Sequence, residues 1–184
     1  MPIQTPICDF GQKALPFELK STDNKIISLN DIKGKNGTLI MFICNHCPYV
    51  KAITKEIVED CNKLKNIGIN SVAICSNDFI NYPEDSFDNM IKFSSDNYFN
   101  FPYLHDDTQE IAKSYDAVCT PDFFGYNKDL ELQYRGRLRE LKNFIPVKDG
   151  ESDLLKAMKQ IAETGNGPQD QIPSAGCGIK WKYD

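Results

Sequence analysis

The chain has 184 residues, 41% hydrophobic and 26% charged, an ordinary composition for a single folded domain. Asp and Glu number 26 against 21 Lys and Arg, and the net charge of −5 argues against a nucleic-acid footprint. No apolar run approaches the roughly 20 residues a membrane span requires, and the opening Met1-Pro-Ile-Gln-Thr-Pro6 has no leader character, so the expected compartment is the cytoplasm.

Phe17–Lys20 and Lys25–Leu29 flank a polar turn and predict an N-terminal β-hairpin. Asn30–Gly37 reads as a loop or one helical turn. Thr38–Ile43 is apolar at every position from Leu39 onward, the pattern of a strand covered on both faces. It runs into Cys44-Asn-His-Cys47-Pro48. After Pro48, Val50, Ile53, Ile57, Cys61 and Leu64 recur at helical spacing, with Lys51, Lys55, Glu56, Glu59 and Asp60 as the polar face, and Gly68 ends the helix.

Ile69–Cys75 is the next strand. Tyr82-Pro-Glu-Asp85 opens a helix to about Phe93, Phe101–Leu104 is a short extended piece, and Thr108–Tyr115 is a short helix with Asp106 or Asp107 near its cap. Phe123–Tyr126 and Leu132–Tyr134 form a second hairpin. Arg135, Arg137 and Arg139 alternate as on the solvated face of a strand. Ser152–Glu163 is an amphipathic helix. The expected division is a domain over 1–164 and a Gly- and Pro-rich tail over 165–184 that docks on it, with Trp181 as its anchor. Strands alternating with helices give an α/β plan with right-handed crossovers.

Seven cysteines cannot all pair with one another, and in a reducing compartment catalytic or metal-binding thiols are the better readings. Pro48 in the first helical turn puts Cys47 at or beside the N-cap, where free amides and the positive end of the helix dipole favour thiolate. A zinc site through Cys44 and Cys47 lacks a second close ligand pair, since Cys8, Cys61, Cys75, Cys119 and Cys177 are isolated and His105 is the other His beside His46. No cofactor or metal is expected. The second informative stretch is Cys119-Thr120-Pro121-Asp-Phe-Phe124, with a proline directly ahead of a strand.

These features together resemble the thioredoxin fold, and more closely the peroxiredoxin-like redoxins of the alkyl hydroperoxide reductase and thiol-specific antioxidant superfamily. The matching stretches are Phe42–Lys51, Ser76–Asp78, Tyr82–Asp85, Phe101–Leu104, Cys119–Phe124, Tyr134–Gly136 and Gly176–Lys182. The resemblance implies a three-layer α/β/α fold with a central mixed sheet and an N-terminal β-hairpin. It implies a cis-proline loop at Thr120–Pro121 against a redox-active Cys47. It also implies a disulfide or peroxide substrate and a thiol reductant as partners, with a homodimer open. In that register Val50 stands where peroxiredoxins carry their peroxide-reacting cysteine, and Cys47 and Ile43 stand at its Thr and Pro partners, so peroxide reduction is left open. A second register takes Cys44 and Cys47 as the dithiol itself. The candidates for resolving Cys47 are Cys44, Cys119, Cys177 and Cys75, in that order. A redox-inactive interaction domain and a zinc-binding module are the competing functions.

Overall fold

The structure, a computed structural model, describes residues 1–183. In chain order the elements are β1 (Ile3–Gln4), β2 (Glu18–Ser21), β3 (Ile26–Ser28), α1 (Leu29–Ile32), β4 (Gly37–Phe42), α2 (Pro48–Lys65) and β5 (Ile69–Cys75). A 3-10 turn (Pro83–Asp85) precedes α3 (Phe87–Asp96), β6 (Tyr103–His105), α4 (Glu110–Ser114), β7 (Cys119–Thr120), β8 (Asp122–Tyr126) and β9 (Leu132–Tyr134). The chain ends with β10 (Leu141–Lys142), β11 (Ile145–Pro146), α5 (Asp153–Thr164) and β12 (Ala175–Gly178).

The main sheet has the order β3-β2-β6-β5-β4-β8-β9. Its middle strands β4, β5 and β6 run parallel and the outer pairs are antiparallel. This is the thioredoxin-like α/β sandwich with a mixed central sheet. The unbroken apolar run of β4 follows from its place between β5 and β8: both of its faces are covered. Leu39, Met41 and Ile43 point to a core shared with α2, α3 and α5, and Ile40 and Phe42 to a second core with α1 and α4. Each such buried side chain contributes about 1.5–3 kcal/mol.

Several polar segments lie deeper than their sequence suggests. Glu56 and Asp60, placed on the polar face of α2, are buried. Glu56 accepts from Arg139 Nε at 2.7 Å, and Asp60 accepts from Ser152 Oγ at 2.6 Å. The cause is the 135–152 segment, which folds back over α2. The same path removes Arg135 and Arg139 from solvent. Arg135 donates to both carboxylate oxygens of Asp122 (3.2 and 2.9 Å), and Arg137 donates to Asp153 at 2.7 Å. These arginines lie past the end of β9 and form no solvated strand face. Buried carboxylates need such partners, because an unpaired charge in the interior is costly.

The expected helix from Tyr82 is interrupted at Ser86, whose extended backbone lets its hydroxyl accept from the Asn89 amide and cap α3. Asp106 caps α4 by accepting from the amides of Ile111 and Ala112. Gly165 closes α5 in the left-handed conformation (φ 79°) that glycine adopts most readily. The chain then crosses to the other end of the sheet, where β12 pairs antiparallel with both β1 and β7. Beyond β12, the Asp78 amide and the Gln109 side chain both donate to the Lys180 carbonyl, and Lys180 donates its amide to Asn77. Trp181 lies under the Lys113 ammonium, 5.7 Å from its ring centre.

Candidate redox site

β4 delivers the Cys44–Cys47 loop to the carboxyl end of the sheet, and Pro48 starts α2 directly behind it. Cys47 is the N-cap residue of α2, in extended conformation (φ −68°, ψ 124°), and Pro48 is in the first turn. Both cysteines are buried, Cys47 at 0% and Cys44 at 1% exposure.

Opposite them lies the β7–β8 junction, where the Thr120–Pro121 peptide is cis. Cys47 Sγ donates to the Thr120 carbonyl at 3.2 Å, and Cys44 Sγ lies 3.4 Å from Thr120 Oγ1. The structure thus brings together Cys44, Cys47, Thr120 and Pro121. Cys119, one residue earlier on β7, is buried and donates to the Pro121 carbonyl at 3.6 Å, with no hydrogen bond to either sulfur of the pair.

The two sulfurs are driven in opposite directions. Beside an ionised Cys47 the Cys44 thiol can turn to it as a donor, and this is the largest cause holding the Cys47 pKa down at about 5 against burial, which opposes ionisation. The Cys177 thiol and the amides of Val50 and Cys177 add to the effect. The Val50 amide, third residue of α2, is the contribution of the helix N-terminus. The Thr120 carbonyl can bond only the protonated sulfur, so ionisation releases that contact. Cys44 is pushed far up by its bond to the Cys47 anion, by burial and by the nearby Asp85 charge. These influences favour ionisation of Cys47 before Cys44.

The other thiols behave as buried groups. Desolvation pushes Cys75 and Cys61 each up to about 12 and raises Cys119. Cys177 is different in position. It is half-buried on β12, its backbone pairs directly with Thr120, and its pKa is pushed up to about 11 by burial and by the adjacent Cys47.

Asp85 organises the loop and was legible from sequence only as an acid at a helix start. Its fully buried carboxylate accepts from the Asn45 amide and from Asn77 Nδ2, both at 2.8 Å, and His46 Nδ1 lies 2.6 Å from Oδ2. Asn45 in turn accepts from the Tyr103 hydroxyl at 2.8 Å. A buried network of this kind fixes the backbone between the two cysteines. Cys44, His46 and Asp85 also bring one donor atom each within 4.8 Å of one another, the set a metal would use here. A metal taking the Asp85 oxygens would compete with the Asn45 amide and the Asn77 side chain already bound to them. His105, by contrast, packs between Phe79 and Phe87 with ring centroids at 5.3 and 5.7 Å, well inside a hydrophobic contact.

This fold with cysteines at the mouth of α2 facing a cis-proline defines a thioredoxin-like redoxin. The chain belongs to the AhpC/TSA family, whose model its residues 10–140 match. Among solved structures, it is 41% identical to an uncharacterized conserved protein from Geobacillus kaustophilus, covering 100% of this chain and 98% of that one at a TM-score of 0.94. A hypothetical protein from Sinorhizobium meliloti is 30% identical over 100% of both chains, at a TM-score of 0.91. A thiol:disulfide interchange protein of the thioredoxin family from Chlorobium tepidum shares the fold at 14% identity, with 83% and 97% coverage and a TM-score of 0.64. No curated protein sequence matches the chain. Among the described residues, no helix is long and apolar enough to cross a membrane.

Proposed function

We propose that the protein is a thiol–disulfide oxidoreductase with Cys47 as nucleophile and Cys44 as the thiol that resolves it. The observation that carries this reading is the geometry: Cys47 is the N-cap of α2, and the Cys44 and Cys47 sulfurs both contact Thr120 directly ahead of the cis-proline. The thiolate is the reactive form, and a second thiol is needed to release it.

In the reductive direction the Cys47 thiolate attacks one sulfur of a substrate disulfide. The other substrate sulfur leaves as a thiolate and takes a proton from solvent. Cys44 then attacks Cys47 Sγ, the second substrate thiol leaves, and a Cys44–Cys47 disulfide remains. Two electrons have passed to the substrate, and a dithiol reductant returns them. Cys44 must lose its proton in the second step. The His46–Asp85 pair, within 4.8 Å of it, is positioned to accept that proton. Thr120 and Pro121 supply the wall on which the reacting sulfurs are ordered.

Disulfide exchange is favoured over peroxide reduction because, in the register that sets Cys47 at the nucleophile of thioredoxins, Val50 on α2 stands where peroxiredoxins carry their peroxide-reacting cysteine. The test is turnover of a protein disulfide with dithiothreitol as electron donor. Cys47→Ser abolishes it if the reading is right; a variant with wild-type turnover refutes it and leaves an interaction domain as the function. We place the protein in the cytoplasm, where a thiol reductant pool would recharge it.

A further inference from the structure

A catalytic pair at 0% and 1% exposure raises a problem of access, since exchange requires the attacking sulfur to reach a disulfide sulfur in line. The roof over the pair is β12. Its residue Cys177 is the cross-strand partner of Thr120, whose carbonyl touches Cys47 Sγ, and Cys177 packs against the core cluster that holds Cys44 and Cys47. Its thiol and amide both act on the Cys47 sulfur. Unlike the pair beneath it, Cys177 reaches solvent.

The roof is held closely and from both sides. Gly176 lies so near β7 that a Cβ there would stand 2.0 Å from the Thr120 oxygen, so only glycine lets the strand approach this far. Upstream, the Ser174 hydroxyl donates to the Pro121 carbonyl at 2.8 Å. Downstream, Asn77 and Asp78 fasten Lys180. Cys177 is therefore held over Cys47 by backbone pairing rather than by a mobile tail.

Resting on the proposed dithiol chemistry, we infer that Cys177 is a third redox sulfur that relays the buried disulfide to solvent. From the oxidised pair, Cys177 gives up its proton and attacks Cys47 Sγ. The Cys47–Cys177 bond forms, the Cys44–Cys47 bond breaks, and Cys44 leaves with the proton. No electrons enter or leave in this step. An external dithiol then attacks the accessible Cys177 sulfur. Cys47 is expelled as a stable thiolate, the better leaving group because its pKa is the lower of the two. The second thiol of that dithiol displaces Cys177 from the mixed disulfide. The dithiol is oxidised and all three cysteines are reduced.

The test uses the full chain, oxidised by glutathione disulfide, with links read by peptide mass and re-reduction by dithiothreitol followed in time. Wild type carries Cys44–Cys47. Oxidised Cys44→Ser and Cys44→Ala carry Cys47–Cys177. Cys177→Ser and Cys177→Ala form Cys44–Cys47 and are re-reduced by dithiothreitol, both at least ~10-fold more slowly than wild type, because without Cys177 the pair is inaccessible in either redox state. Re-reduction of both Cys177 variants at the wild-type rate overturns the relay. So does Cys47 glutathionylated, with Cys177 free, in both Cys44 variants. Absence of any Cys44–Cys47 link in oxidised wild type is a separate result, and it refutes the parent reading instead.

Discussion

The Cys44 thiol is the largest cause of the low Cys47 pKa, so deleting it should move that acidity most. A hydrogen bond to a charged group is worth about 1.5–3 kcal/mol, and one pH unit corresponds to about 1.4 kcal/mol. Cys44→Ala should therefore raise the Cys47 titration by roughly 1–2 pH units from about 5, to between 6 and 7. Cys44→Ser keeps a donor and should move it less. The assay is thiolate absorbance in the far ultraviolet against pH, taken as the difference from Cys47→Ser, which needs no reagent to enter the site. The sign also fixes the stability profile. Folding lowers this pKa from 9.0, so the ionised sulfur contributes stability that is complete above 9.0 and is lost as pH falls through about 5. Cys44→Ala should flatten that acid limb. An unchanged inflection in Cys44→Ala would refute the reasoning and assign the thiolate to the helix amides. A wild-type inflection near the ordinary value would refute the thiolate itself.

The same thiolate sets the redox poise. Thioredoxin, with its cysteine near 7, has a potential near −270 mV, and roughly 30 mV accompanies each 1.4 kcal/mol. A depressed Cys47 should make the Cys44–Cys47 couple more oxidising than that reference, read in glutathione buffers; a potential at or below about −270 mV contradicts it. Arg139→Ala should cost about 3–5 kcal/mol in urea unfolding, because it strands the buried Glu56 and frees the carbonyls of Val147 and Gly150; a loss under about 1 kcal/mol, the scale of an exposed pair, would show that the pair is solvated. Gly176→Ala should push β12 off β7 and accelerate alkylation of Cys47, and an unchanged alkylation rate would show that β12 does not limit access.

Much of this was legible in the sequence, for local reasons. The apolar run ending at Ile43, the proline at 48 and the helical spacing from Val50 to Leu64 fix strand, N-cap and helix by short-range rules, so Cys47 could be placed at the helix mouth. What was not legible came from distant contacts. Glu56, Asp60, Arg135 and Arg139 look like surface charges until the 135–152 segment folds over α2 and pairs them. Asp85 reads as a helix-start acid, and only the fold brings its carboxylate under Asn45 and His46. Cys177 ranked behind Cys119 by distance from the proline, but pairing of β12 with β7 sets it directly across from Thr120. The sequence places Cys47 beside the helix amides, and only the fold adds the Cys177 thiol next to it.

Peptide mapping of the wild-type chain after mild oxidation, with remaining thiols blocked before digestion, examines the dithiol most directly. The expected product is one intramolecular link joining Cys44 to Cys47. Recovery of both residues as blocked free thiols, under conditions that oxidise a reference dithiol protein, would contradict a redox role for this pair.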